Sequence, residues 1–206
     1  MATKLPLTKA DVSLMIELGA SAAYLSSLLK ASGLDVNWVP LRSTRKTNSA
    51  LSRSERAVLR SGGARLDNGS LDQVVAQARL LELVTESRRL VSEAYDTKAV
   101  AKLLGMSESA VERHVLRVPP RFHGIQLKDN RLVLPGWQFT ESGPIPHLQS
   151  VLNCMAPLSP LAFSRFMLTP HQDLEHEDQK FSPREWLVRG YEPKPVLDLV
   201  KFLIGD

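Results

Sequence analysis

Apolar residues recur at helical spacing near the start of the chain. Between residues 8 and 30, Val12, Met15, Ile16, Leu18, Tyr24, Leu25, Leu28 and Leu29 follow a period of about 3.6. Thr8 or Asp11 can cap this helix, Gly19 marks a break inside it, and Gly33 ends it. Residues 34–51 lose the periodicity around Pro40 and read as a loop or arm rich in Ser, Thr, Asn and Arg. Residues 52–59 read as a short helix stopped by Gly62-Gly63, and Asn68-Gly69 reads as a turn. From Ser70 to about Leu90 a longer helix is expected, with Leu71, Val74, Val75, Ala78, Leu81 and Val84 on one face. Two short helices follow, over residues 97–104 and 107–116, the second halted by Pro119-Pro120.

The period then changes. Residues 122–127 and 131–134 alternate or carry β-branched side chains around Lys128-Asp129-Asn130, a β-hairpin signal closed by Pro135-Gly136. Helical segments resume at about 146–155, 160–168, 182–189 and 194–204, separated by proline or glycine. The pattern predicts a mainly α chain in three parts. An N-terminal helical region spans 1–94, a helix-turn-helix with a short β-hairpin wing spans 95–140, and a small C-terminal helical bundle spans 141–206.

Composition narrows the class. No run of about 18 apolar residues exists, so no membrane span is expected. The first residues lack the apolar core and cleavage site of a signal peptide. Cys154 is the single cysteine, which rules out an internal disulfide and fits a reduced, cytoplasmic protein. The net charge of +4 matters less than its distribution. Residues 41–65 hold Arg42, Arg45, Lys46, Arg53, Arg56, Arg60 and Arg65 against Glu55 alone. Arg113, Arg117, Arg121, Lys128 and Arg131 form a second basic group, whereas Asp173, Glu175, Glu177 and Asp178 make a later segment acidic. A basic front and an acidic rear point to a polyanion at the front, with a solvated charged surface as the alternative.

The segment TKAVAKLLGMSESAVERHVL carries the spacing of a helix-turn-helix. Ala101 is small where the second helix must cross the first, and Gly105 suits the left-handed turn. Val111 pins the second helix, Val100, Leu104 and Met106 complete the apolar set, and Ser107 is a good N-cap. Ser107, Glu108, Ser109, Glu112 and Arg113 then face outward, where polar side chains can reach base edges in a major groove. Arg113 is the foremost candidate, since a guanidinium binds guanine bidentately. Arg117, Arg121, Lys128 and Arg131 are candidate phosphate contacts. His123 reads as structural, and His114 stands where such motifs often carry an apolar residue.

With these residues in view, the chain from Thr97 to Asp206 resembles the antitoxins of the Xre/MbcA/ParS group. Pro135, Trp137, Gln138 and Phe139 match that group's link after the DNA-binding motif. Pro183, Trp186, Leu187 and Gly190 match its later signature, and Val196 and Leu199 its final apolar helix. The first 96 residues lie outside the resemblance. What it implies is a protein that binds double-stranded DNA at its own operator and neutralises a cognate toxin of the RES type, an NAD-consuming enzyme, through its C-terminal domain. The contact residues so implied are Trp186, Arg189, Tyr191, Lys194, Lys201, Gly205 and Asp206.

Read from the residues alone, the last helix carries more apolar surface than one bundle face needs, through Val196, Leu197, Leu199, Val200, Phe202, Leu203 and Ile204. Such a stripe docks on a partner or is buried at home. Trp137, Trp186, Phe163, Phe166 and Phe202 are expected in the core. No catalytic set, cofactor or metal site is predicted. His171, Glu175 and His176 match no metal-ligand spacing, Gly62-Gly63 lacks the lysine of a phosphate loop, and Cys154 has no evident base. A homodimer or higher oligomer is expected for a palindromic operator, with the amphipathic N-terminal helices as candidates for its interface. The competing readings are a stand-alone transcription regulator, whose C-terminal domain mediates oligomerisation or partner recruitment, and a scaffold in which the helix pair serves packing only.

Overall fold

The computed structural model describes residues 7–33, 73–154 and 158–204. The expected arm at 34–51, the expected short helix at 52–59, the Asn68-Gly69 turn, the expected helix start at Ser70, and the terminal Gly205 and Asp206 lie outside these residues. The described chain is mainly helical with small antiparallel sheets. None of its helices is long and apolar enough to cross a membrane.

The first expected helix divides at Gly19 (φ +93°) into α1 (Lys9–Glu17) and α2 (Ala22–Ala31). Thr8 and Asp11 cap α1 reciprocally, each side chain meeting the other residue's backbone N–H. The carboxylate of Asp11 also receives two hydrogen bonds from Arg88, at 2.7 and 2.8 Å, on the long helix α3 (Gln73–Ser92). The buried face of α3 differs from the expected one. Ala76, Leu80, Leu83, Val84 and Leu90 point inward, whereas Val74, Val75 and Leu81 are exposed. The helix carries apolar residues on two sides, and its packing on α1 and α2 decides which side is buried.

A three-stranded sheet follows, in the order β1 (Tyr95–Asp96), β3 (Leu132–Leu134), β2 (Ile125–Gln126), with Tyr95 opposite Leu134 and Ile125 opposite Val133. Between β1 and β2 run α4 (Thr97–Leu104) and α5 (Glu108–Leu116). Beyond the sheet come a turn of 3-10 helix (Gly136–Gln138), the hairpin β4 (Phe139–Thr140) and β5 (Gly143–Pro144), and α6 (Leu148–Cys154). The chain ends with α7 (Pro160–Leu168), the hairpin β6 (Glu175–His176) and β7 (Gln179–Lys180), α8 (Pro183–Val188) and α9 (Lys194–Ile204). The hairpin β6–β7 falls in the acidic segment between the helices expected at 160–168 and 182–189, where no strand was expected.

Two apolar cores meet at the sheet. Ile125, Leu127, Val133 and Leu161 join α1, α2 and α3 in one. Val100, Val111, Phe122, Leu134, Trp137, Phe139, Phe163, Leu187 and Val196 belong to the other. Adjacent residues Val133 and Leu134 thus enter different cores, as the alternation of a strand requires. Core membership runs across the boundaries expected at 94 and 140. Gln138 is fully buried and stitches the junction: its amide donates to the carbonyl of His123 (2.7 Å) and accepts from the His123 N–H (2.6 Å).

Candidate nucleic-acid interface

Asp96 caps α4 by accepting from the N–H of Ala99 at 2.7 Å. Val100 and Ala101 turn inward. Gly105 ends the helix at φ +64°, ψ +35°, and Met106 N–H returns to the Ala101 carbonyl at 3.0 Å. This left-handed residue reverses the chain into α5, whose N-cap Ser107 accepts from Ala110 N–H at 3.2 Å. Val111 is fully buried, anchoring the inner side of α5. On the outer side Ser107, Glu108, Ser109, Glu112 and Arg113 are all exposed.

The outward side chains are not equivalent. Glu108 accepts a hydrogen bond from the Thr97 hydroxyl at 3.1 Å, which ties it to α4. Arg113 spends one N–H on the Ser109 carbonyl at 3.3 Å and is otherwise exposed. Arg117 and Arg121 are exposed and carry no ion pair among the described residues. His114 sits half-buried against the edge of Phe122, ring centroids 5.7 Å apart. Desolvation pushes its imidazole down, and the charges of Arg121, Arg117 and Arg113 push the same way. Three cations therefore converge around one carbonyl-terminated helix end, a position favourable to positive charge.

The hairpin cations have carboxylate partners within the fold. Lys128 donates its backbone N–H to Glu17 of α1 (3.2 Å), its ammonium lies 3.4 Å from the same carboxylate, and it also meets the Ser13 hydroxyl. Arg131 pairs with Asp129 at 2.7 Å. Both are exposed, yet each has a carboxylate at home, and the hairpin turn is fastened to α1. Of the eight residues predicted to meet DNA, the structure gathers Ser107, Ser109, Glu112, Arg113, Arg117 and Arg121 on α5 or in the segments flanking it, and sets Lys128 and Arg131 apart on the hairpin.

In the C-terminal part, Ser182 and Glu185 form a capping box on α8. Trp186 is half-buried, donates Nε1–H to the Glu192 carbonyl at 2.7 Å, and tilts against Tyr191 with ring centroids 4.6 Å apart. Arg189 lies over the ring of Phe181 at 4.6 Å, and His176 of β6 meets Tyr191 at 4.9 Å. Trp186 and Tyr191 thus form one aromatic cluster with Phe181, and Arg189 joins it over the Phe181 ring. Lys194 and Lys201 stand apart from it on α9, both near Asp198, at 3.8 and 3.9 Å. Phe202, expected in the core, is 86% exposed; α9 buries Val196, Leu199 and Val200 and leaves Phe202, one turn beyond Leu199, at the edge of that face. It borders a shallow cleft of about 480 Å³ with His171, Asp173, Pro195 and Leu199.

The sequence reading missed Arg184. Its guanidinium donates to the carbonyls of Trp137 (3.0 Å) and Phe139 (3.2 Å), joining α8 to the link after the sheet. A second cleft, of about 440 Å³, lies between α3, α7 and the turn Gly136–Gln138. Its cations are engaged as well: Arg165 pairs with Glu86, and Arg89 with Glu93. Among the described residues no group of three or more His, Cys, Asp or Glu side chains is placed to hold a metal ion. No protein-family model, curated protein or solved structure matches the chain.

Proposed function

We propose that the chain is a non-enzymatic DNA-binding regulator of the antitoxin type, with α4 and α5 as its helix-turn-helix and α5 as the recognition helix. One observation carries this reading. The outer face of α5 is uncovered and polar, while Val111 and the left-handed Gly105 fix the helix from behind, and Arg113, Arg117 and Arg121 stand free of acidic partners among the described residues. A helix so presented can enter a major groove, with Arg113 and Ser109 at base edges and Arg117 and Arg121 on phosphates. The sheet serves as the wing's frame. A dimer on a palindromic operator would place two such helices one turn of DNA apart.

The C-terminal part is the partner-binding domain in this reading. The exposed Phe202 at the rim of its cleft and the half-buried cluster of Trp186 and Tyr191 support contact with another protein. The resemblance to the Xre/MbcA/ParS group makes that protein a RES-type toxin encoded beside this chain.

The test is electrophoretic mobility shift with the DNA upstream of the chain's own coding sequence, at two salt concentrations. Binding must weaken steeply with salt. Arg113→Ala is expected to reduce affinity about tenfold or more and to relax preference at one base position. An unchanged shift for Arg113→Ala combined with Ser109→Ala would remove α5 as the reading element. Co-expression with the neighbouring gene product, followed by pull-down, separates the antitoxin from a stand-alone regulator.

A further inference from the structure

The chain leaves α5 through a projection that none of the assigned roles uses. Leu116 is 77% exposed and Val118 is 95% exposed, although Val111 and Phe122 on either side are buried. The loop is closed at its base. The N–H groups of Arg121 and Phe122 both donate to the His114 carbonyl, at 2.8 and 3.4 Å, and Gln149 of α6 donates to the Pro120 carbonyl at 2.7 Å. The two apolar side chains are therefore presented by a held turn and not by a frayed helix end. They sit among Arg113, Arg117 and Arg121, whose combined field reaches His114 behind them.

An apolar tip ringed by unpaired cations selects its occupant by charge. A second copy docking about a two-fold axis would set the same arginines against one another. Duplex DNA offers the complement: phosphates for the guanidinium groups, and between them the apolar faces of sugars and base edges. We propose that Leu116 and Val118 form a second DNA-contacting element, an apolar wedge that presses into the groove beside the one entered by α5, with Arg117 and Arg121 on the flanking phosphates. The proposal rests on the DNA-binding reading of α5.

The full chain is titrated into a labelled duplex of its upstream DNA carrying 2-aminopurine at successive steps. Leu116→Ala with Val118→Ala should weaken binding about tenfold, the scale of one buried aliphatic side chain. The log-affinity against log-salt slope should stay unchanged, and the 2-aminopurine signal of an opened step should be lost. Arg117→Ala with Arg121→Ala should instead flatten that slope by about 2. Both substituted apolar residues are exposed, and a thermal melt matching the parent confirms an intact fold. Parental affinity and signal in the apolar double variant overturn the wedge and leave the DNA reading standing. Loss of cooperativity between two half-sites, with single-site affinity retained, also overturns it and makes the tip a contact between bound copies. Failure of the parent to bind the duplex even at low salt removes the reading of α5, and the wedge with it.

Discussion

His123 shows how burial at one residue becomes a property of the whole chain. Its ring lies beside the paired rings of Trp137 and Phe163, at 6.5 and 5.0 Å, and its Nε2 is buried without a hydrogen-bond partner. Burial pushes the imidazole down to about 4, so it stays neutral in the fold while the unfolded chain protonates it near pH 6.5. Between those values the unfolded state binds more protons, and stability falls as pH falls, by up to roughly 3 kcal/mol. His114 acts in the same direction. Below this window Asp11 continues the decline. The Arg88 guanidinium, followed by the Thr8 donors, outweighs desolvation and holds it at about 2, so its contribution is present above pH 3.8 and is lost as pH drops toward 2. Urea midpoints measured from pH 7 to 4 should fall steadily, and His123→Phe should flatten most of that slope; an unaltered slope would assign the titration elsewhere. At this scale the sequence marked His123 as structural and Trp137 as core. Gln138 and Phe202 resisted it, because a glutamine buried to satisfy its neighbour's backbone and a phenylalanine left outside both run against residue-type expectation.

Among the elements, two glycines separate conformational strain from steric exclusion. At Gly105 a Cβ would meet nothing within 4 Å, so only the left-handed backbone resists substitution. Gly105→Ala should cost about 1 kcal/mol, and Gly105→Asn less, since asparagine tolerates that region. Gly136 has no such φ, but a Cβ there would lie 2.4 Å from the Glu93 carbonyl oxygen, a backbone atom that cannot rotate away. Gly136→Ala should therefore destabilise more than Gly105→Ala, and chemical unfolding of the two variants side by side checks the order. The short helix pair was legible because its turn glycine, cap serine and apolar positions fall within twenty residues. The hairpin β6–β7 was not. Its turn places Glu177 and Asp178 at φ +52° and +61°, a conformation ordinarily announced by Asn-Gly, and two acidic residues carry no such signal. The buried face of α3 was also hidden, since choosing between two apolar stripes requires knowing what α1 and α2 present.

For the whole molecule, the decisive feature is that the sheet separates two cores and belongs to both. Boundaries drawn from composition place the N-terminal helices in a region of their own, because sharing a core across a hundred residues leaves no local signal. Yet Ile125, Leu127 and Val133 are covered from the α1–α3 side. The backbone of α7 also joins that unit, Leu161 N–H donating to Leu18 carbonyl at 3.1 Å. If both cores unfold together, damage deep in the first must reach reporters in the second. Leu80 is fully buried among the N-terminal helices, and Leu80→Ala should cost about 2–5 kcal/mol. With Trp38 replaced by Phe, fluorescence comes from Trp137 and Trp186 alone, and Trp137 lies in the second core. Coupled cores require the urea midpoint seen by these tryptophans to shift by the full cost of Leu80→Ala, in one transition coincident with the loss of helical signal. A tryptophan transition left in place, while helical signal is lost earlier, would mean that the N-terminal helices unfold alone and only rest against the sheet. In that case the Lys128–Glu17 contact opens without disturbing α5 and releases Lys128, whereas Arg131 keeps its partner Asp129 within the hairpin.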